Sequence, residues 1–61
     1  MSGAEDALTR AEDLLERLER TRVRLEETQD PEAAIDILGE LAEIAKQVEA
    51  ELEQARRESG M

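Results

Sequence analysis

Carboxylates are the most numerous side chains in this sequence that could do chemistry. Glu12, Glu16 and Glu19 follow one another at steps of four and three, which places them on one face of a helix, and Glu49 and Glu53 form a second such pair. Hard cations take oxygen ligands of this kind, so weak Mg²⁺ or Ca²⁺ binding is the chemistry they offer. The competing reading is a solvated acidic face, and the sequence favours it. There is no histidine, and a di-metal site in a helical bundle needs Glu and His aimed into the core. The heptad seam positions of this chain are expected to be apolar or Thr.

Nucleophilic catalysis needs a Ser, Thr or Cys beside a base. The hydroxyls are Ser2, Thr9, Thr21, Thr28 and Ser59, and the chain has neither Cys nor His to activate one. We therefore expect no enzyme, no catalytic, cofactor-binding or metal residue, and no small-molecule substrate. Thr21 and Thr28 fall on a helical seam, where the hydroxyl bonds back to its own helix. Arg10, Arg17 and Arg24 recur every seven residues, with Arg20 and Arg22 nearby, and make the one basic strip of an acidic chain. Phosphate contact is one use for it. The reading preferred here has the arginine stems covering the edge of the core and their heads pairing with acids such as Glu51 on the neighbouring helix.

Composition narrows the classes further. The chain has 61 residues, enough for one domain spanning 1–61 and near the lower limit of independent stability. Without Cys or His it has no disulfide or zinc support, which leaves oligomerisation. With no Phe, Tyr or Trp it has no platform for stacking a base, and a net charge of −9 repels phosphate backbones and anionic lipid. Direct nucleic-acid binding is thus disfavoured, as is membrane association, since no apolar run approaches the roughly 20 residues of a membrane span. The N-terminus, Met-Ser-Gly-Ala-Glu-Asp, lacks the basic and apolar regions of a signal peptide, so a cytoplasmic location is expected.

The elements that hold these residues are two helices. Ser2 with Glu5 has the form of a capping box at the start of the first. Ala4, Ala7, Ala11, Leu14, Leu18, Thr21, Leu25 and Thr28 then recur at alternating threes and fours, a heptad seam that Leu8 and Leu15 widen on one flank. Asp30-Pro31 punctuates the chain. Asp is a preferred N-cap, Pro is favoured at the first helical position, and Pro31 pushes Asp30 out of the helical region. A second seam is read as Ala34, Leu38, Leu41, Ala45, Val48, Leu52 and Ala55, ending at Arg56-Arg57 and Gly60. The prediction is an all-α antiparallel two-helix hairpin, with helices over about 3–29 and 31–59 and Leu25 facing Leu38 near the hinge. Asp6 with Arg10, Asp13 with Arg17 and Glu16 with Arg20 are acid-before-base pairs at four-residue spacing that support the first helix.

The second helix has more apolar surface than one neighbour covers, because Ile35, Ile37, Ala42 and Ile44 flank its seam. Leaving branched aliphatics in water forgoes about 1.5–3 kcal/mol each. The expected remedy is homodimerisation into a four-helix bundle, with docking on helices of a larger protein as the alternative. The helix–helix interface residues are predicted to be Leu14, Leu15, Leu18, Leu25, Ile35, Ile37, Leu38, Leu41, Ile44, Val48 and Leu52, with the partner surface at Ile35, Ile37 and Ile44. The open end, closing over Ala4, Ala7 and Ala11, should be tighter and weaker. Gly39 falls on the outer side, either as a tolerated surface glycine or as a close-approach point for a partner backbone.

The hairpin, its length and the Asp at its turn resemble the plasmid copy-number protein Rop, whose hairpins dimerise into a four-helix bundle. Ala34, Leu38, Leu41, Ala45, Val48 and Leu52 follow the same heptad logic. That family's RNA-binding face uses an aromatic and polar residues on the first helix, where this chain has Leu14 and acids, so the resemblance implies the architecture only. The stretch Ala11-Glu12-Asp13-Leu14-Leu15-Glu16-Arg17-Leu18-Glu19, with Pro31-Glu32-Ala33-Ala34-Ile35 and Ala45 to Ala55, is similar to the small subunit of exodeoxyribonuclease VII. That resemblance implies a non-catalytic accessory subunit docking on a larger enzyme. The leading expectation from the residues is a self-associating helical hairpin with an assembly role. An acidic nucleic-acid mimic that occupies a basic groove is a further alternative, motivated by the charge alone.

Overall fold

The computed structural model describes residues 3–60, so the Ser2 half of the expected capping box lies outside the described residues. Two helices, α1 (Gly3–Glu27) and α2 (Pro31–Glu58), pack against each other as a hairpin 46 Å long. No strand occurs among the described residues, and the fold is all-α.

The hinge follows from local chemistry. Asp30 takes extended backbone angles (φ −88°, ψ 118°), as the residue before proline should, and its side chain accepts a hydrogen bond from the Glu32 N–H at 3.1 Å. Pro31 occupies the first turn, where the N–H it lacks would have no helical partner. At the end of α1 the Thr28 N–H donates to the Leu25 carbonyl at 3.2 Å and the Thr28 hydroxyl to the Arg24 carbonyl at 2.7 Å. The helix thus ends at Glu27, two residues short of the expected boundary. At the far end Ser59 caps α2, and Gly60, at φ 85°, turns the chain as only glycine does readily.

The seam of α1 matches its heptad. Ala7, Ala11 and Thr21 are buried, and Ala4, Leu14, Leu18, Leu25 and Thr28 are half-buried between the helices. Buried Thr21 donates its hydroxyl to the Arg17 carbonyl at 2.8 Å, so its polar atom is satisfied within its own helix. Ala7, Ala11 and Ala55 are among the most buried residues of the chain, and they make the open end tight.

The seam of α2 differs from the expected one. Its inward residues are Ala34, Ile37, Leu41, Ile44, Val48, Glu51 and Ala55, while Leu38, Ala45 and Leu52 face outward. Ile37 and Ile44 are each only 5 % exposed, so they belong to the hairpin core and not to a partner surface, and Leu25 does not close on a buried Leu38. Both rows alternate in threes and fours and share Ala34, Leu41, Val48 and Ala55, so hydrophobic periodicity alone does not separate them. The polar flank does. With Ile37 and Ile44 inward, Glu51 reaches Arg10 (2.9 Å) and Glu40 reaches Arg24 (3.4 Å) across the helix pair. Turning α2 by the roughly 50° that separates the two rows, half the 100° of one residue, would carry both acids away from their arginines.

Candidate functional site

Heptad positions put the outward residues on common faces. With Ala4 and Ala34 at position a, the ion pair of Arg24 with Glu40 joins the two g rows. A shallow groove of about 360 Å³ on the same side is lined by Arg10, Asp13, Leu14, Gln47, Ala50 and Glu51, all at positions c, d or g. The c, d and g flanks of both helices therefore share one face, which is polar. The a, e and b flanks share the other.

That second face is apolar. Its e rows bring Leu8 and Leu15 of α1 beside Leu52, Ala45 and Leu38 of α2, and Ile35 and Ala42 extend it at position b. Leu8 (48 % exposed), Leu15 (50 %), Leu38 (52 %), Leu52 (48 %) and Ile35 (67 %) all lie open on it. Large aliphatics scattered singly over a surface need no explanation, as with Val23 on the outer side of α1, but five on one face constitute a patch. Of the expected interface residues, the hairpin packs Leu14, Leu18, Leu25, Ile37, Leu41, Ile44 and Val48 between its own helices and leaves Leu15, Ile35, Leu38 and Leu52 on this face. Leu8 was not among them. Its place one heptad before Leu15 was the signal that marks it.

Electrostatics frame the patch. The b row of α1 is Glu5, Glu12, Glu19 and Glu26, an acidic rim, whereas the b row of α2 is Ile35, Ala42, Glu49 and Arg56. Arg22, the residue that ends the α1 e row toward the hinge, pairs with Glu19 and Glu26, which draws its head to the rim. The hydrogen bond from Arg22 and then its charge hold Glu19 below the ordinary carboxylate range, and the pair raises Arg22 in turn. Arg56 does the same for Glu53. Arg10 turns across the helix pair to Glu51, the role expected of the heptad arginines.

The hydroxyls and the acidic clusters lie away from this face or open to solvent. Thr9, Thr21, Thr28 and Ser59 each give their hydroxyl to a backbone carbonyl of the same helical segment. Glu12, Glu16, Glu49 and Glu53 are solvent-exposed, and among the described residues no three acidic side chains converge closely enough to hold a metal ion. Gly39 faces open space, since a Cβ there would meet no atom within 4 Å. No described helix is long and apolar enough to cross a membrane.

Comparison with protein-family models, with curated proteins and with solved structures yields no match. The two resemblances rest on the sequence pattern alone.

Proposed function

We propose that this chain is a non-catalytic assembly protein that self-associates through the face of Leu8, Leu15, Ile35, Leu38 and Leu52 into a four-helix bundle. The observation that carries the reading is the contrast between this face and the core. Among the described residues the buried apolar side chains are Ala7, Ala11, Ile37, Ile44 and Ala55, three of them alanines, and Leu14, Leu18, Leu25, Leu41 and Val48 of the seams are half-buried, while five large aliphatics stay open on this one face. A core of that size leaves a chain of 61 residues with little stability of its own. Apolar residues at a, d and e mark helices that bury two surfaces, as in bundles, where a strict a and d pattern serves a single seam. The hairpin as a whole measures 46 by 14 Å along its two longest axes between extreme Cα positions, so the entire side that carries this face outlines roughly 640 Å², an upper bound on what one copy can cover against the ~800 Å² per partner of a standard interface.

Sedimentation equilibrium over a dilution series tests this. The wild type should sediment at twice its 6.9 kDa chain mass, and Leu15→Glu, which plants a charge in the middle of the face, should give a monomer with reduced helicity. A wild type that remains a cooperative, fully helical monomer at tens of micromolar would refute self-association.

The acidic rim of Glu5, Glu12, Glu19 and Glu26 supports a second reading. In it the same face docks on helices of a larger protein with a basic border, as an accessory subunit. Recovery of a larger chain in fixed stoichiometry from the native host, together with a monomeric state when purified alone, would favour it over the dimer.

A further inference from the structure

Resting on self-association as proposed above, we infer that the second copy lies with its hinge at the same end, so that α1 of each hairpin packs over α2 of the other. Two face-to-face arrangements have two-fold symmetry. In one the axis runs along the hairpin and the hinges coincide. In the other the axis runs across it and the hinges point oppositely, which sets α1 over α1.

The rims separate the two. With the hinges opposed, Glu5 and Glu12 of one copy come level with Glu26 and Glu19 of the other. The whole α1 rim then faces itself, four carboxylates and one guanidinium on each side. Like charges brought together at an interface edge oppose association and select against that geometry. With the hinges together, the same rim runs beside Ile35, Ala42, Glu49 and Arg56, whose guanidinium is paired with Glu53, so that row carries two carboxylates and one guanidinium against the four and one of the α1 rim. Glu5 comes level with Arg56, and along each rim one like-charge pair remains, Glu12 with Glu49.

The apolar rows agree with this choice. At mid-length the e rows carry Leu15 on α1 and Ala45 on α2. Packing α1 over α2 sets each Leu15 above the small Ala45 of the other copy, so large meets small at the centre. The opposed arrangement stacks Leu15 on Leu15 and leaves Ala45 over Ala45, crowding one side of the centre and hollowing the other.

A spin-label distance decides the orientation, because the chain has no cysteine and Gln29 is exposed in the connection. Gln29→Cys, labelled and measured by double electron–electron resonance, should give a single separation within roughly 25 Å, set by helices packed about 8–10 Å apart. A separation near the 46 Å length of the molecule, or two populations, overturns the shared-hinge orientation while leaving self-association intact. A monomer in the accompanying sedimentation run removes both. As an independent check, Glu49→Lys should turn the like-charge pair of each rim into an attraction and tighten association about two- to fivefold. Glu43→Lys, with the same charge change on the polar face, is the control, and equal effects of the two would overturn the orientation.

Discussion

The Arg10 guanidinium meets the Glu51 carboxylate at 2.9 Å across the two helices. Glu51 stands at an inward heptad position, three residues after Val48 and four before Ala55, and its side chain is 22 % exposed. A carboxylate there is tolerated because a cation reaches it from the facing helix, and without that cation a partly desolvated charge would oppose the packing. The contact also fixes which side of α2 faces α1.

Replacing Glu51 by Leu removes the charge and adds apolar surface at the same place. The hairpin should gain about 1 kcal/mol, seen as a rise in the thermal midpoint by circular dichroism. Arg10→Ala should lower the midpoint in the wild type and have little effect in the Glu51→Leu variant. Additive effects of the two changes would contradict the coupling between them.

Ile37 and Leu38 are adjacent in sequence and opposite in role. Ile37→Ala empties a core position and should cost about 2–5 kcal/mol, which is comparable to the whole stability of a domain this small. The expected result is loss of helicity at room temperature. Leu38→Ala should leave the hairpin helical while weakening self-association in sedimentation. Equal damage from both substitutions would argue against the seam described above.

Gly39 tests whether the outer face of α2 is used. An added methyl meets open space, so Gly39→Ala should stabilise the helix by about 0.5–1 kcal/mol in denaturant unfolding. The dimer constant should not change, because position f lies away from the apolar face. Weakened association would revive a close backbone approach at this site.

Acidity enters with two signs. Glu19 and Glu53 are held below the ordinary 4.5 by Arg22 and Arg56. Their ion pairs therefore contribute stability above that value and lose it as the pH falls further. Both groups are fully exposed, so this contribution is small. The net charge of −9 acts between copies, and it diminishes toward the sequence pI of 4.3. Association should tighten as the pH falls from about 7 to about 5, less so in high salt, and the thermal midpoint should drop again below about 4. An association constant flat across that range would show that charge does not govern assembly.

Much of this hairpin was legible in its residues, because the decisive signals were local. Asp30 and Pro31 state the hinge through one side-chain acceptor and one fixed backbone angle. The α1 seam is legible because the competing row through Leu8 and Leu15 breaks at Arg22, whereas the row through Ala7, Leu14 and Thr21 runs on to Thr28 with Arg10, Arg17 and Arg24 along its flank. The paired threonine hydroxyls follow from the same helix geometry.

The α2 seam was not legible in that way. Ala34, Leu41, Val48 and Ala55 belong equally to a row through Ile37 and Ile44 and to a row through Leu38 and Leu52. Periodicity measures a stripe and not the side of it that meets the neighbour. Only the packed pair decides, through contacts between residues far apart in sequence, Arg10 with Glu51 and Arg24 with Glu40. The amino-acid sequence by itself determined two helices, their hinge and an excess of apolar surface. The tertiary structure decided which aliphatics became core and which were left as the face on which a partner can be built, because that choice depends on how one helix is rotated against the other.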